Sequence, residues 1–187
     1  MQRAINVSTL GPILLASFCA CTVSTQAFAQ VVFQPPDCEF RTVFVIPPDI
    51  KEVTGTDEDG QPYKSAIANL EATVDGQPNF FRADCTKVKV PKQLDQAFFL
   101  EDMKTIASGN GFKNPTTWVE KDSSGNLVGR VRGQITDTSA TFVVDVRRFF
   151  GKSSMLDVWV GSPPNTFPSQ GNLIFLKEIK LNGKPVY

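Results

Sequence analysis

The chain contains short segments in which apolar and polar side chains alternate, each followed by Gly, Pro, Asn or Asp. The clearest segment covers residues 66–74. Its apolar positions are Ala66, Ala68, Leu70, Ala72 and Val74. A period of two is typical of a half-buried strand, although Ala66, Ile67 and Leu70 also fit a helical spacing. Asp75-Gly76 suits a type I′ hairpin turn and therefore favours a strand, with residues 80–90 as the returning strand.

Further strands and one helix are predicted along the rest of the chain. The strands are rich in β-branched and aromatic residues, and they cover residues 40–46, 117–120, 127–135, 141–150, 156–160 and 172–181. The helix covers about 91–108, because Pro91 suits a first helical position and Gly109 or Gly111 a stop. Together these elements predict an α+β fold, with a mainly antiparallel sheet of about six to eight strands and one packed helix.

Residues 1–29 have the pattern of a secretory signal peptide. Arg3 gives a positive start, residues 10–21 form a short apolar run, and Ala27-Phe28-Ala29 matches a signal-peptidase site. We therefore expect an exported protein, periplasmic or extracellular, whose residues 30–187 form a single domain.

Two other interpretations of the leader remain open. A membrane anchor is disfavoured because the apolar run is short for a bilayer, so no stable membrane span is expected after processing. A lipoprotein attached at Cys21 is less well supported, because Phe18-Cys19-Ala20 is a poor match to the small and aliphatic residues expected before the modified cysteine.

Cys38 and Cys85 are the cysteines that remain after the leader. Two cysteines in an oxidising compartment most often form a disulfide. Closing a loop of this length would stabilise the fold by roughly 4 kcal/mol on the chain-entropy model. A redox role is less expected, because the Cys-x-x-Cys spacing is absent.

Charge is unevenly distributed after the leader. Residues 30–85 contain ten acidic and four basic residues, a net of −6, whereas residues 86–187 contain nine acidic and fourteen basic residues, a net of +5. Either the two parts complement each other within one fold, or the second part presents a basic face to an anionic partner. The near-zero total makes nucleic acid the least expected partner.

The absence of histidine from the sequence excludes several chemistries. It removes Ser-His-Asp and Cys-His catalysis and most zinc enzymes. Gly151-Lys152-Ser153 resembles the end of a phosphate-binding loop, but the first glycine of that motif is missing, since Val146 stands five residues before Gly151. Asp57-Glu58-Asp59 does not meet the pattern of a calcium loop. We therefore assign no cofactor, no metal and no catalytic residue.

Carboxylate catalysis survives these exclusions, because it needs only two suitably spaced acidic side chains. Asp145 and Glu178 are of most interest, since each lies within a predicted apolar strand, where a charge needs a partner. Arg147, Arg148 or Lys180 could supply it. The remaining acidic residues are expected to be solvated.

Basic residues beside aromatic rings form the candidate binding surface. Basic pairs occupy alternate positions of two strands, and a third pair precedes two phenylalanines. The residues are Lys87, Lys89, Arg130, Arg132, Arg147, Arg148, Phe149 and Phe150. Such a surface suits an anionic lipid or a protein partner, although the two phenylalanines could instead divide between the core and its rim.

Two functional hypotheses follow. The first is an exported, non-catalytic binding module of the bacterial cell envelope or secretome, which contacts a protein or an anionic envelope component. The alternative is a small carboxylate-dependent hydrolase that acts on polysaccharide or peptidoglycan. Two opposed acidic side chains in a cleft would favour the hydrolase, and an exposed apolar patch or open sheet edge would favour the binding module.

Overall fold

A seven-stranded antiparallel sheet lies at the centre of the computed structural model, which describes residues 30–56, 60–136 and 140–187. The predicted signal peptide and the acidic residues 57–59 lie outside the described residues. The strands are β1 (Val31–Phe33), β2 (Phe40–Phe44), β3 (Asp49–Thr56), β4 (Pro62–Val74), β5 (Gln77–Lys87), β6 (Lys113–Lys121), β7 (Leu127–Thr136), β8 (Thr141–Phe150), β9 (Ser154–Ser162), β10 (Lys180–Leu181) and β11 (Lys184–Pro185). The helices of the described residues are α1 (Gln96–Gly109) and α2 (Gln170–Lys177).

The large sheet has the strand order β3-β4-β5-β9-β8-β7-β6, and the short strands form a second sheet in the order β1-β2-β10-β11. The second sheet joins the two ends of the described chain, because Phe40 of β2 pairs with Leu181 of β10. The architecture confirms the predicted α+β fold with a mainly antiparallel sheet. None of the helices formed by the described residues is long and apolar enough to cross a membrane.

The turn at Asp75-Gly76 has the geometry that its sequence predicts. Val74 and Gln77 are paired across it, and Asp75 and Gly76 have φ angles of 50° and 75°. Two consecutive positive φ angles are the requirement of a type I′ turn, which Asp-Gly meets at low cost. Residues 66–74 are therefore strand and not helix, as the turn indicated.

The prediction of a final strand over residues 172–181 is wrong for most of its length, because within this span the strand β10 covers residues 180–181 alone. Residues 170–177 form α2, so the fold contains a second helix. The hydroxyl of Ser169 accepts a hydrogen bond from the Asn172 amide, and the Asn172 side chain accepts one from the Ser169 amide, which together cap the helix. The buried positions Asn172, Phe175, Leu176 and Ile179 follow a helical spacing. A short apolar run does not by itself distinguish a helix from a strand.

The predicted helix over 91–108 exists but starts later. The Asp95 carboxylate accepts a hydrogen bond from the Phe98 amide at 2.9 Å, which fixes the first turn at Gln96. Aspartate is a preferred N-cap, so it marks the start more strongly than Pro91 does. β3 was not foreseen, because its residues carry neither clear alternation nor a buried face.

Other elements pack on both faces of the large sheet. We call the face that carries Ala83 and Val158 the cap face, because α2 and the second sheet pack on it. Its core includes Phe175 of α2, whose ring lies 5.3 Å from Phe81 and 4.9 Å from Phe44. Among the described residues, the phenylalanines buried in this core are Phe33, Phe40, Phe44, Phe81, Phe149 and Phe175.

The opposite face, which we call the helix face, carries Val131 and Val146. α1 packs on it through Met103, Ile106 and Ala107. Because α1 lies over β6 and β7, the part of the helix face formed by β4, β5 and β9 is not under this helix.

A disulfide from Cys38 and hydrogen bonds to Glu39 attach the segment before β2 to the large sheet. Cys38 and Cys85 are bonded, with their Cα atoms 6.2 Å apart, which confirms the predicted pair. The neighbouring Glu39 accepts hydrogen bonds from the amides of Ser153 and Ser154, in the turn between β8 and β9. These contacts and the β2–β10 pairing hold the second sheet over the cap face.

Candidate functional site

The alternation of side chains along β8 separates the residues of the predicted binding surface. Arg147 and Phe149 lie on the cap face, and Arg148 and Phe150 lie on the helix face. Arg130 of β7 is paired with Arg147 and therefore also lies on the cap face. The predicted residues thus form two groups on opposite sides of the sheet.

The first group is built around Asp145, whose side chain is only 1% exposed. Arg130 donates to its Oδ2 at 2.5 Å, Arg132 donates to the same oxygen at 2.8 Å, and Arg147 donates to Oδ1 at 3.2 Å. A buried carboxylate needs such partners, because an unpaired charge is costly in the interior. Arg147, one of the predicted partners, therefore pairs with Asp145, and Arg130 and Arg132 pair with it as well.

Glu120 completes this group, which we call the arginine cluster: Arg130, Arg132, Arg147, Asp145 and Glu120. The Glu120 carboxylate accepts a hydrogen bond from Arg130 at 2.6 Å. Burial alone would lower the pKa of Arg130, but the charges and hydrogen bonds of Asp145 and Glu120 outweigh burial and raise the pKa. Three guanidinium groups face two carboxylates, so the cluster has one positive charge in excess.

Aromatic rings surround the arginine cluster. The guanidinium of Arg130 lies 4.5 Å from the ring centre of Trp118, and that of Arg147 lies 4.6 Å from Tyr187. Arg132 lies between two rings, 5.5 Å from Trp118 and 5.1 Å from Phe167. Cation–π contacts of this kind hold a guanidinium in place while its edge stays available for hydrogen bonds.

Arg132 is the most exposed member of the cluster, ahead of Glu120, whose side chain is 28% exposed. The Arg132 side chain is 43% exposed, whereas those of Arg130 and Arg147 are nearly buried. Nε and Nη2 of Arg132 donate to Asp145, and Nη1 takes no part in these two bonds. The exposed edge of Arg132 can therefore donate to an anionic group from outside.

Trp118, Phe167 and Glu120 were not identified from the sequence as parts of this site. The predicted strands over 117–120 and 127–135 could have located two of them, because their pairing places Trp118 opposite Arg130 and Glu120 opposite Val128. Phe167 lies in the loop before α2, far along the chain from β7, and no local pattern indicates that it approaches Arg132.

The second group contains Arg148, which joins the sheet to α1. Arg148 donates to both carboxylate oxygens of Asp157, at 2.7 and 2.6 Å, and to Asp102 of α1 at 2.6 Å. Burial would lower the pKa of Arg148, but the two carboxylates outweigh burial and raise the pKa. Burial also raises the pKa of Asp102, and the charge of Arg148 only partly offsets it. Arg148 is therefore engaged within the protein.

An open cleft of about 970 Å³ lies on the helix face beside Arg148. Lys89 and Phe150 line it, and so does Lys87 at the end of β5, although Lys87 alternates to the cap face with Cys85 and its ammonium group pairs with Asp37 at 3.3 Å. The cleft thus contains the remaining members of the predicted surface except Phe149. That residue is buried on the cap face, where its ring contacts Phe40 and Tyr187.

Two carboxylates meet on one wall of the cleft. Asp84 of β5 is paired directly with Asp157 of β9, so the two side chains lie side by side on the helix face. Arg82 donates to Asp84 at 2.9 Å, and Ser65 also donates to it. Across the described ranges, no three Cys, Asp or Glu side chains are grouped so that they could hold a metal ion.

The comparisons with known proteins do not assign this site. No protein-family model, curated protein sequence or solved structure matches the chain.

Proposed function

We propose that the protein is an exported, non-catalytic binding module of the cell envelope or secretome, which recognises an anionic group on a partner protein or an envelope component. The observation that supports this most is Arg132, an exposed guanidinium held between Trp118 and Phe167. The leader pattern and the Cys38–Cys85 disulfide fit export.

The surroundings of Arg132 prepare it for an anion. Asp145 and the two aromatic rings fix the side chain, so little rotamer entropy remains to be lost when a ligand binds. The excess positive charge of the arginine cluster adds a long-range attraction that salt would screen. A hydrogen bond from a guanidinium to an anionic oxygen is stronger than one between neutral groups.

The test uses three anionic probes with the purified protein: vesicles that contain phosphatidylglycerol, lipopolysaccharide, and polyglutamate as a model of an acidic protein segment. Vesicles of phosphatidylcholine alone serve as the uncharged reference. We expect saturable binding to at least one anionic probe, detected by tryptophan fluorescence because Trp118 lies against Arg132, with affinity that falls as salt rises.

Arg132→Gln should weaken that binding by about tenfold, because it removes a charge-assisted hydrogen bond. Lys121→Gln is the matched control, since it removes one positive charge from an exposed residue of β6. Equal effects of the two substitutions would contradict a specific site at Arg132. The probe that binds then separates a lipid, a saccharide and a protein as the source of the anion.

The alternative, a carboxylate-dependent hydrolase acting on polysaccharide or peptidoglycan, is supported by Asp84 and Asp157 in the cleft. Directly opposed side chains of an antiparallel pair have Cβ atoms about 5 Å apart, so the two carboxyl groups are close neighbours, as the carboxyl groups of a retaining glycosidase are at about 5–5.5 Å. Both carboxylates are, however, engaged by Arg82 and Arg148, as structural ion pairs are.

A gel assay with peptidoglycan as substrate tests this alternative. The hydrolase would be favoured if the wild-type protein clears the gel and either Asp84→Asn or Asp157→Asn abolishes this clearing. Circular dichroism must show that the variants retain the fold. Clearing that both variants retain would point to an activity that does not use these two acids.

A further inference from the structure

An apolar groove of about 280 Å³ lies between α2 and the edge of the cap face, separate from the arginine cluster. Its floor is formed by aromatic and aliphatic side chains, among them Phe44, Leu70, Phe81 and Phe175. Val45 and Ile174, which are 46% and 45% exposed, stand at its mouth. An apolar cavity of this size approaches the volumes of small-molecule sites.

The mouth of the groove also contains two carboxylates. Asp75 of the β4–β5 turn and Glu178, which follows α2, are the charged residues among the described lining residues, and both are acidic. The groove therefore combines an apolar interior with a negative entrance. A ligand that complements both features has an aliphatic body and a cationic head.

We propose that this groove binds an amphiphilic cation, an aliphatic chain that ends in a primary amine. The chain would lie against Leu70 and Ile174, and the ammonium group would face Asp75 and Glu178. This proposal does not depend on anion recognition at Arg132, because the two sites share no lining residue and prefer ligands of opposite charge.

The strength of binding should follow the length of the aliphatic chain. Each methylene group moved from water into the groove strengthens binding by about fourfold, so octylamine should bind about fifteenfold more tightly than hexylamine. The carboxylates should add a preference for positive charge. We expect octylamine to bind about tenfold more tightly than octanoate at low salt, since one head group is attracted and the other repelled.

The experiment is an NMR titration of the purified protein with hexylamine, octylamine and octanoate, observed through methyl resonances. The signals of Val45, Leu70 and Ile174 should shift with octylamine. The double variant Asp75→Asn/Glu178→Gln should remove the preference for octylamine over octanoate and leave the chain-length dependence intact. Both residues lie at the groove mouth, so the fold should be retained.

Ile174→Asn should weaken octylamine binding, because it replaces an apolar side chain at the groove mouth. Leu173→Asn is the matched control. Leu173 is the preceding residue of the same helix, is 40% exposed, and does not line the groove, so its substitution should leave binding unchanged.

Three results would overturn the proposal: no saturable shift with octylamine, equal effects of Ile174→Asn and Leu173→Asn, or equal affinities for octylamine and octanoate. The last would mean that Asp75 and Glu178 do not select the charge of the head group. Failure here would leave binding at Arg132 untouched, and the reverse also holds.

Discussion

At the scale of single residues, Asp145 determines the arrangement of the arginine cluster. Its buried carboxylate receives hydrogen bonds from Arg130, Arg132 and Arg147. Asp145→Asn would leave three guanidinium groups close together with their shared negative charge removed. Breaking a buried ion pair from one side costs about 3–5 kcal/mol, and we expect a loss of that size in the free energy of unfolding measured by urea denaturation.

Arg132→Gln is the control for this prediction, because it changes the same ion-pair group from its exposed side. Asp145 keeps its hydrogen bonds from Arg130 and Arg147 in this variant, and the lost Arg132 side chain is 43% exposed, so we expect a loss of only about 1 kcal/mol. The roles of the two residues would then separate, with Asp145 needed for stability and Arg132 for binding. A loss in Asp145→Asn as small as that in Arg132→Gln would show that the buried carboxylate does not organise the cluster.

Glu39 gives a second prediction at this scale, concerning acid stability. Burial alone would raise the pKa of Glu39, but hydrogen bonds from Ser153, Ser154 and the backbone of Lys152 outweigh burial and lower the pKa below its ordinary value of 4.5. A lowered pKa in the folded state contributes stability that is present above the unfolded pKa and lost as pH falls through the folded pKa.

Glu39→Gln should therefore reduce stability at neutral pH and should flatten the loss of stability below about pH 4.5. Urea denaturation of both proteins at about pH 7 and about pH 3 measures this, and the difference between them should shrink towards the lower pH. A constant difference across this range would mean that the ionised form of Glu39 has no special role.

At the scale of helices and strands, much of the large sheet could be predicted from alternation and turn residues. Residues 141–150 were predicted as a strand and form β8 with the same bounds, and Asp75-Gly76 forms its hairpin turn. Those signals are local, because a strand with one buried face and a turn with positive φ angles both restrict nearby residue types.

β3 was missed because it gives no local signal of its own: it pairs with the neighbouring β4, but its side chains are mostly exposed, so its sequence contains no burial pattern. Distant contacts limit the prediction of the candidate site. The placement of Arg130 and Arg132 on one face could be foreseen, but the approach of Phe167 and the engagement of Arg148 by Asp102 could not.

The packing of α1 on the sheet leads to a prediction about two glycines. A Cβ atom at Gly129 of β7 would lie 2.8 Å from the Phe99 ring and 3.1 Å from Met103, and both side chains are fully buried. Gly129→Ala should therefore cost about 1–3 kcal/mol, as overpacking of a core does. Thermal denaturation should show a lowered midpoint.

Gly109→Ala, in α1 itself, should have the opposite effect on stability. A Cβ atom there meets nothing within 4 Å, so alanine should stabilise the protein by about 0.5–1 kcal/mol through its better helix propensity. If both substitutions changed stability equally, contact between Gly129 and α1 would not be the cause.

At the scale of the whole molecule, the ion pairs of the fold do little to bring the acidic residues 30–85 and the basic residues 86–187 together. Arg130 and Arg148 pair with acidic residues of their own part of the chain, and Lys87–Asp37 is the ion pair identified among the described residues that joins residues 30–85 to residues 86–187. Direct pairing between the acidic and the basic parts therefore does little to balance them. An acidic groove mouth and a basic cluster can coexist on one face.

The Cys38–Cys85 disulfide acts at the same scale, because it joins the chain start to a central strand. Its loop of 47 residues gives a stabilisation of about 4 kcal/mol if the bond acts through the entropy of the unfolded chain. The Cys38→Ala/Cys85→Ala variant should lose about this amount in urea denaturation, and the wild-type protein with its disulfide reduced should lose nearly as much.

Other contacts should preserve the folded arrangement of that variant. The ring of Phe40 lies 6.1 Å from Phe149, and Phe44 packs on Phe175, so the second sheet keeps its contacts with the large sheet and α2. The near-UV circular dichroism spectrum should therefore remain native although the unfolding midpoint falls. Loss of that spectrum in the variant would mean that the disulfide holds the second sheet in place, and the entropic account of its effect would then be wrong.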